Sequence, residues 1–175
     1  DERRRRTLLA MMMRAVEHSP SLIVVTDTQG KIEYANPALT PLTGYKPEEV
    51  IGLKPNIFKS NKHDDVYYKG LWETVLSGKT WTGDFINRKK DSSEYYESAS
   101  IAPVFDQNHE ITHIVAVKTD ITAQRNYERL LAEAATRDFL TGIYNRRQFM
   151  ELAEREVGNL SRRKRKAAVL MIDAD

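Results

Sequence analysis

The chain has 175 residues, with 27 Lys and Arg against 25 Asp and Glu for a formal charge of +2, and no cysteine. That length suits one domain of roughly 100–150 residues with appendages, and a 41% hydrophobic content argues against disorder. Disulfide, thiol and iron–sulfur chemistry are excluded, and the longest uncharged run, residues 34–45, is broken by Pro37, Pro41 and Gly44, far from the ~20 apolar residues of a membrane span.

In chain order, residues 7–17 predict a helix with Leu9, Met12, Met13 and Val16 on one face, stopped by His18-Ser19-Pro20. The β-branched run 22–26 and the alternating run 31–35 flank Gln29-Gly30 and predict a hairpin. Pro and Gly break the next stretch into single helical turns, one of them at Lys46-Pro47-Glu48-Glu49-Val50, where Pro opens the turn and acids line its start. Residues 64–76 predict a longer helix with Tyr68, Leu71, Trp72, Val75 and Leu76 on one side. Three strands follow at 80–88, 94–104 and 111–118, and their short polar connections favour consecutive antiparallel pairing. Asp120 is expected to cap a helix running to about Arg137, whose Tyr127, Leu130, Leu131, Ala134 and Ala135 form a narrow coiled-coil-like seam. A helix from Asn145 to about Val157, with Gln148 as capping-box partner, and a strand at 167–172 close the chain. The sum is α+β: a five-stranded antiparallel sheet with helices on one face, then a helix–strand fragment too small to fold alone.

Positive charge gathers at Arg3, Arg4, Arg5 and Arg6 and at residues 162–166, while the stretch between them is net acidic. A nucleic-acid-binding domain would carry its basic footprint on the folded body, so no nucleic acid is expected as a partner. The plain reading of both runs is a solvated terminus and a solvated loop. The absence of Cys fits a cytoplasmic setting. Without an initiator Met the chain reads as an excised piece, and the first Arg run leaves room for a membrane span before Asp1 in a longer parent.

These motifs are specific enough to place the chain beside a known family. Ala35-Asn36-Pro37-Ala38, Thr43-Gly44-Tyr45 and Glu49-Val50-Ile51-Gly52, then Trp81-Thr82-Gly83, Ile101-Ala102-Pro103-Val104 and Asp120-Ile121-Thr122, resemble a PAS sensory domain over residues 10–122. Asp138-Phe139-Leu140-Thr141-Gly142, Asn145-Arg146-Arg147 and Ala168-Val169-Leu170-Met171-Ile172-Asp173 resemble the start of a diguanylate cyclase (GGDEF) domain. The implied organisation is an N-terminal helix (1–18), a PAS domain (19–121), a signalling helix (122–137) and a truncated GGDEF segment (138–175). By that resemblance Asp173 is a magnesium ligand of the complete cyclase, which makes cyclic di-GMP from two GTP. One carboxylate cannot assemble an octahedral Mg²⁺ site, so the fragment is expected to be inactive.

Glu17-His18-Ser19-Pro20, Leu71-Trp72, Trp81 and Asn87-Arg88-Lys89-Lys90-Asp91 resemble the flavin-binding, NifL-like PAS type, which implies FAD with Trp72 and Asn87 in contact with it. Strand alternation adds Trp81 and Phe85 to the Asn87 face, Asn56 is a further candidate contact, and Glu97 shares a phase with Tyr95, Ala99 and Ile101. For Glu97 a ligand bond and an ordinary surface position stand about even, for Asn87 the alternative is a structural side-chain bond, and for both Trp it is plain core. Positions matching Val24 and Pro55 carry polar groups in the NifL-like type and are apolar here; without a thiol, cysteinyl–flavin adduct chemistry is excluded. A haem-binding PAS domain with His63 as ligand is one alternative, against a reading of His63 as a surface residue. A cofactor-free dimerisation module is the other. Signalling is expected to pass through Asp120 and Thr122 to Leu130 and Leu131, in a homodimer joined by its N- and C-terminal helices.

Overall fold

The computed structural model describes residues 1–163 together with Lys166, Ala168 and Leu170. Asp173 and most of the expected strand 167–172 lie outside the described residues. The chain divides into two compact units, Asp1–Arg125 and Asn126–Asp175.

In the first unit α1 (Glu2–Glu17) leads to β1 (Leu22–Asp27) and β2 (Ile32–Ala35). The short helices α2 (Leu39–Thr43) and α3 (Pro47–Val50), a 3₁₀ turn (Pro55–Phe58) and α4 (Asp65–Leu76) follow. β3 (Trp81–Arg88), β4 (Glu94–Phe105) and β5 (Ile111–Asp120) complete it, and α5 (Thr122–Thr136) begins at its end. The helices end where their caps do. Asp64 Oδ1 accepts from Tyr67 N at 2.9 Å at the start of α4, and Gly78, at φ +86°, turns the chain out of its far end. α1 starts at Glu2 rather than at Thr7, because Arg is a good helix former and Arg6 reaches Glu2 at 2.6 Å one turn away.

The five strands form one antiparallel sheet in the order β2-β1-β5-β4-β3. Consecutive pairing holds from β3 to β5, as the short loops require. β5 then lies against β1 in unbroken register from Leu22–Lys118 to Asp27–His113, which sets the first and last strands at the centre of the sheet. Alternation turns Leu22, Val24, Ile114, Ala116, Tyr95 and Ala99 to the inner face, where all are buried. Leu39, Val50, Phe58, Leu71 and Val75 close over them from the helical side. α1 contributes nothing to this core: none of its residues is buried.

The expected cap at Asp120 takes a different form. Asp120 remains in β5, and its carboxylate accepts from Thr122 N at 2.8 Å. Ile121 N donates to Tyr96 O at 2.9 Å, and Tyr96 N donates to Thr122 Oγ1 at 2.9 Å. The first turn of α5 is thereby stitched to the backbone of β4.

In the second unit Asn145 caps α6 (Arg146–Arg163), accepting from Gln148 N at 2.9 Å and donating to Ala135 O at 3.0 Å. α6 runs past the expected Val157. Asp138 accepts from Thr141 N and Oγ1 at 3.0 and 2.8 Å, and the Thr141 hydroxyl leads in holding its carboxyl below the usual range.

Candidate functional site

A cavity of about 450 Å³ lies between the inner face of the sheet and the helices that cover it, within the range of small-molecule sites. β1 supplies Val24 and Thr26 to its wall, β5 supplies Ile114, Ala116 and Lys118, and β3 supplies Phe85 and Asn87. From the other side the 3₁₀ turn contributes Pro55, Asn56 and Phe58, and one face of α4 contributes Tyr68, Leu71 and Trp72. These helix positions line up because residues three and four apart share a face. Trp72, 39% exposed, stands at the rim, and a Cβ placed on Gly30 would meet its ring at 3.8 Å. The deep end is buried: Asn87 is 5% and Lys118 7% exposed.

Asn56, Trp72, Phe85 and Asn87 thus meet around one cavity. Trp81 and Glu97 do not line it. Trp81 belongs to an aromatic cluster beside it, 5.5 Å from Tyr67 and 5.2 Å from Phe85 between ring centres, and it covers Gly83 so closely that an added Cβ would lie 2.5 Å from its ring. Glu97 is fully buried behind the wall, which removes the surface reading of its phase. Its Oε1 accepts from Asn87 Nδ2 at 2.9 Å and from Lys118 Nζ at 2.5 Å. The three meet because Phe85 and Asp120 stand opposite Glu97 in the two flanking strands, which puts Asn87 and Lys118 on its diagonals. Among the described residues, neither Glu97 Oε2 nor Tyr95 Oη has a hydrogen-bond partner. Burial, and then the Glu97 charge, push the Tyr95 phenol far above its ordinary range. The same two causes, in the same order, raise Tyr68.

His63 is half-buried rather than a surface residue. Its ring stacks on Tyr67 with centroids 4.5 Å apart, and Nε2 accepts from Ile86 N at 2.9 Å. Ser60 Oγ bonds the Ile86 carbonyl, so this loop satisfies the outer edge of β3. Among the described residues no histidine lines the cavity, and no group of His, Asp and Glu is arranged to hold a metal ion.

Lys118 escaped the sequence reading. The signal was present: Ile114, Ala116 and Lys118 share one phase, and a lysine at the inward end of an apolar strand is rarely buried without a partner. Lys59 was missed as well; its ammonium sits 3.5 Å from the Tyr68 ring centre at the rim.

An antiparallel sheet and its covering helices around a ligand-sized cavity, with a helix leaving from the last strand, define the architecture of a class of sensory domains. Residues 20–123 match the family described as PAS domain, and the chain belongs to that family. Residues 135–175 match the family described as Diguanylate cyclase, GGDEF domain. A nitrogen fixation regulatory protein of Klebsiella oxytoca is 31% identical over 121 residues, 69% of this chain and 24% of that protein. A blue-light-activated histidine kinase of Brucella canis is 27% identical over 113 residues, 63% of this chain and 23% of that one. Among solved structures, an RNA-binding light-oxygen-voltage receptor shares the fold with a TM-score of 0.65 at 24% identity, over 73% of this chain and 37% of its own. The chain spans about a quarter of the length of the two curated relatives. Among the described residues no helix is long and apolar enough to cross a membrane.

Proposed function

We propose that this PAS domain is a flavin-binding redox sensor that regulates an attached diguanylate cyclase, with FAD as its ligand. The observation that carries this reading is the cavity itself. Its wall is largely apolar, it is large enough for a fused heteroaromatic ring, and its buried end presents two donors, the Asn87 amide and the Lys118 ammonium. A flat ring with acceptor atoms along one edge matches that set, and Trp72 offers an aromatic surface at the rim. The relatives named for nitrogen fixation regulation and for blue-light activation support it. Val24 and Pro55 line the cavity as apolar residues, so recognition of the ring's edge falls to Asn87 and Lys118.

When bound, the flavin supplies reversible redox chemistry; the protein's residues do the rest. Asn87 and Lys118 hold the buried edge, Phe58, Phe85 and Leu71 exclude water, and Glu97 fixes both donors from behind. Changes there reach α5 through β4 and β5, by way of Asp120 and Thr122. The solvent-facing Leu130 and Leu131 on α5, with Met11, Met12 and Met13 on α1, supply apolar faces for a parallel homodimer, which is how two cyclase sites would be brought together. Asp173, GTP and Mg²⁺ belong to the attached cyclase.

The test is the visible absorption spectrum of the chain purified after expression with added FAD. Flavin bands that co-elute with protein in near one-to-one ratio are expected. Colourless protein, with no change in FAD fluorescence on titration, would remove the flavin reading and leave the cofactor-free dimerisation module.

A further inference from the structure

The Lys118–Glu97 pair is a cation and an anion withdrawn from water on the wall of a ligand cavity. Only the cation faces the cavity; Glu97 is fully buried behind it. Such a pair carries a desolvation cost that its mutual attraction only partly offsets, and a cation so held is poised to answer any second negative charge that appears beside it. Glu97 keeps the Asn87 bond at 2.9 Å if Lys118 turns away, so its carboxylate is not left bare. The pair also sits at the signalling end of the sheet. Glu97 stands opposite Asp120, and Tyr96, its neighbour, holds Ile121 and Thr122 at the start of α5.

Resting on the flavin reading above, we propose that Lys118 is the charge-reading residue of the site, bonded to Glu97 while the ligand is neutral and drawn toward the ligand when reduction gives it a negative charge. Reduction of the bound ring by two electrons and one proton, from a two-electron donor such as dithionite or a reduced nicotinamide, leaves it with one added negative charge. Lys118 then stabilises the reduced form selectively, and the inner-face tie between β4 and β5 loosens where α5 begins. Thermodynamically the ligand shifts the protein only by its differential affinity for the two arrangements, so the reduced form must bind more tightly.

The experiment uses the full chain loaded with FAD, as wild type, Lys118→Met, Lys118→Arg and Glu97→Gln, with thermal unfolding of each as a folding check. FAD affinity is measured oxidised and after dithionite reduction, together with amide hydrogen exchange at Tyr96, Ile121 and Thr122. In the wild type the reduced form is expected to bind at least tenfold tighter, which places the two-electron midpoint about 30 mV above that of free FAD. K118M abolishes that preference, K118R keeps it, and E97Q, which frees the ammonium, increases it. Exchange at Ile121 and Thr122 rises on reduction in the wild type and no longer responds in K118M. If FAD binds to K118M with the wild-type preference, the proposal falls while the flavin reading stands. If wild-type chain binds no FAD, both fall. Should K118M not fold, the contrast between K118R, which keeps the preference, and E97Q, which increases it, decides, and equal preferences in those two would overturn the assignment.

Discussion

The side-chain amide of Asn36 donates to the carbonyl of Val16 at 2.9 Å, so a fully buried residue at the end of the β1–β2 hairpin fastens the last turn of α1. The same amide donates to Ser21 O at 3.0 Å, and its oxygen accepts from Ile23 N at 2.9 Å. Asn36 is thus a three-point clasp between an otherwise unburied helix and the central strand. Asn36→Ala leaves those backbone groups without their partner and is expected to cost about 2–4 kcal/mol. Urea unfolding measures the loss, and tryptic cleavage after Arg14 should accelerate in parallel. A wild-type midpoint would mean that α1 is held by something else.

Gly83 is the tightest point in the aromatic cluster. A Cβ there would lie 2.5 Å from the Trp81 ring and 2.7 Å from Tyr67 Oη, and Tyr67 is committed, donating to Asp84 O at 2.7 Å. Gly83→Ala is therefore expected to destabilise by about 1–3 kcal/mol through overpacking, read as a lowered Tm with altered Trp fluorescence. Trp81→Phe in the same background should recover part of the loss; no recovery would place the strain elsewhere.

Tyr95 gives a pH-dependent prediction. Burial, with the Glu97 charge second, raises its phenol above the ordinary 10.0, so the folded state keeps a proton that the unfolded state releases. Stability from this group is fully present below pH 10 and falls as pH climbs beyond it, since the unfolded chain then binds fewer protons. Tyr95→Phe should flatten that alkaline decline by up to about 1.4 kcal/mol per pH unit. At pH 7 the same variant removes a buried hydroxyl without a partner, and is expected to be neutral or about 1 kcal/mol more stable. A clear destabilisation at pH 7 in chemical denaturation would contradict the unpartnered hydroxyl.

Trp72 separates ligand binding from stability. At 39% exposed it contributes to the rim of the cavity more than to the core. Trp72→Ala should leave Tm within a few degrees of wild type, while FAD affinity falls about threefold to tenfold, the loss of one stacking contact. Equal affinity in fluorescence titration would take Trp72 out of the site.

Most of the fold could be read from spacing because alternation and turn chemistry agreed locally. Runs such as Glu94–Phe105 admit one inward phase, and Gly78 and Asp64 bound α4 by backbone geometry and capping. The central β1–β5 pairing was not legible: nothing local in either strand names a partner about 90 residues away. Of the residues that line the cavity, Phe85 followed from strand alternation, whereas Trp72 and Asn87 were implied by the family resemblance. The positions of Trp81 and Glu97 did not follow, because a phase fixes which face a side chain takes and says nothing of whether a neighbour stands between it and a ligand. His63 misled for a related reason. Its polar neighbours suggested exposure, whereas the edge of β3 recruits it through Ile86 N.

The pairing of Leu22 with Lys118, with Ser21 Oγ 3.0 Å from Thr119 Oγ1 just beyond it, leaves the two ends of the sensory domain side by side. A pull applied along the flanking helices therefore does not shear the sheet. It opens β1 from β5 one rung at a time, like a zip, so the domain should yield at low force and could act as a compliant coupling between the segments on either side of it.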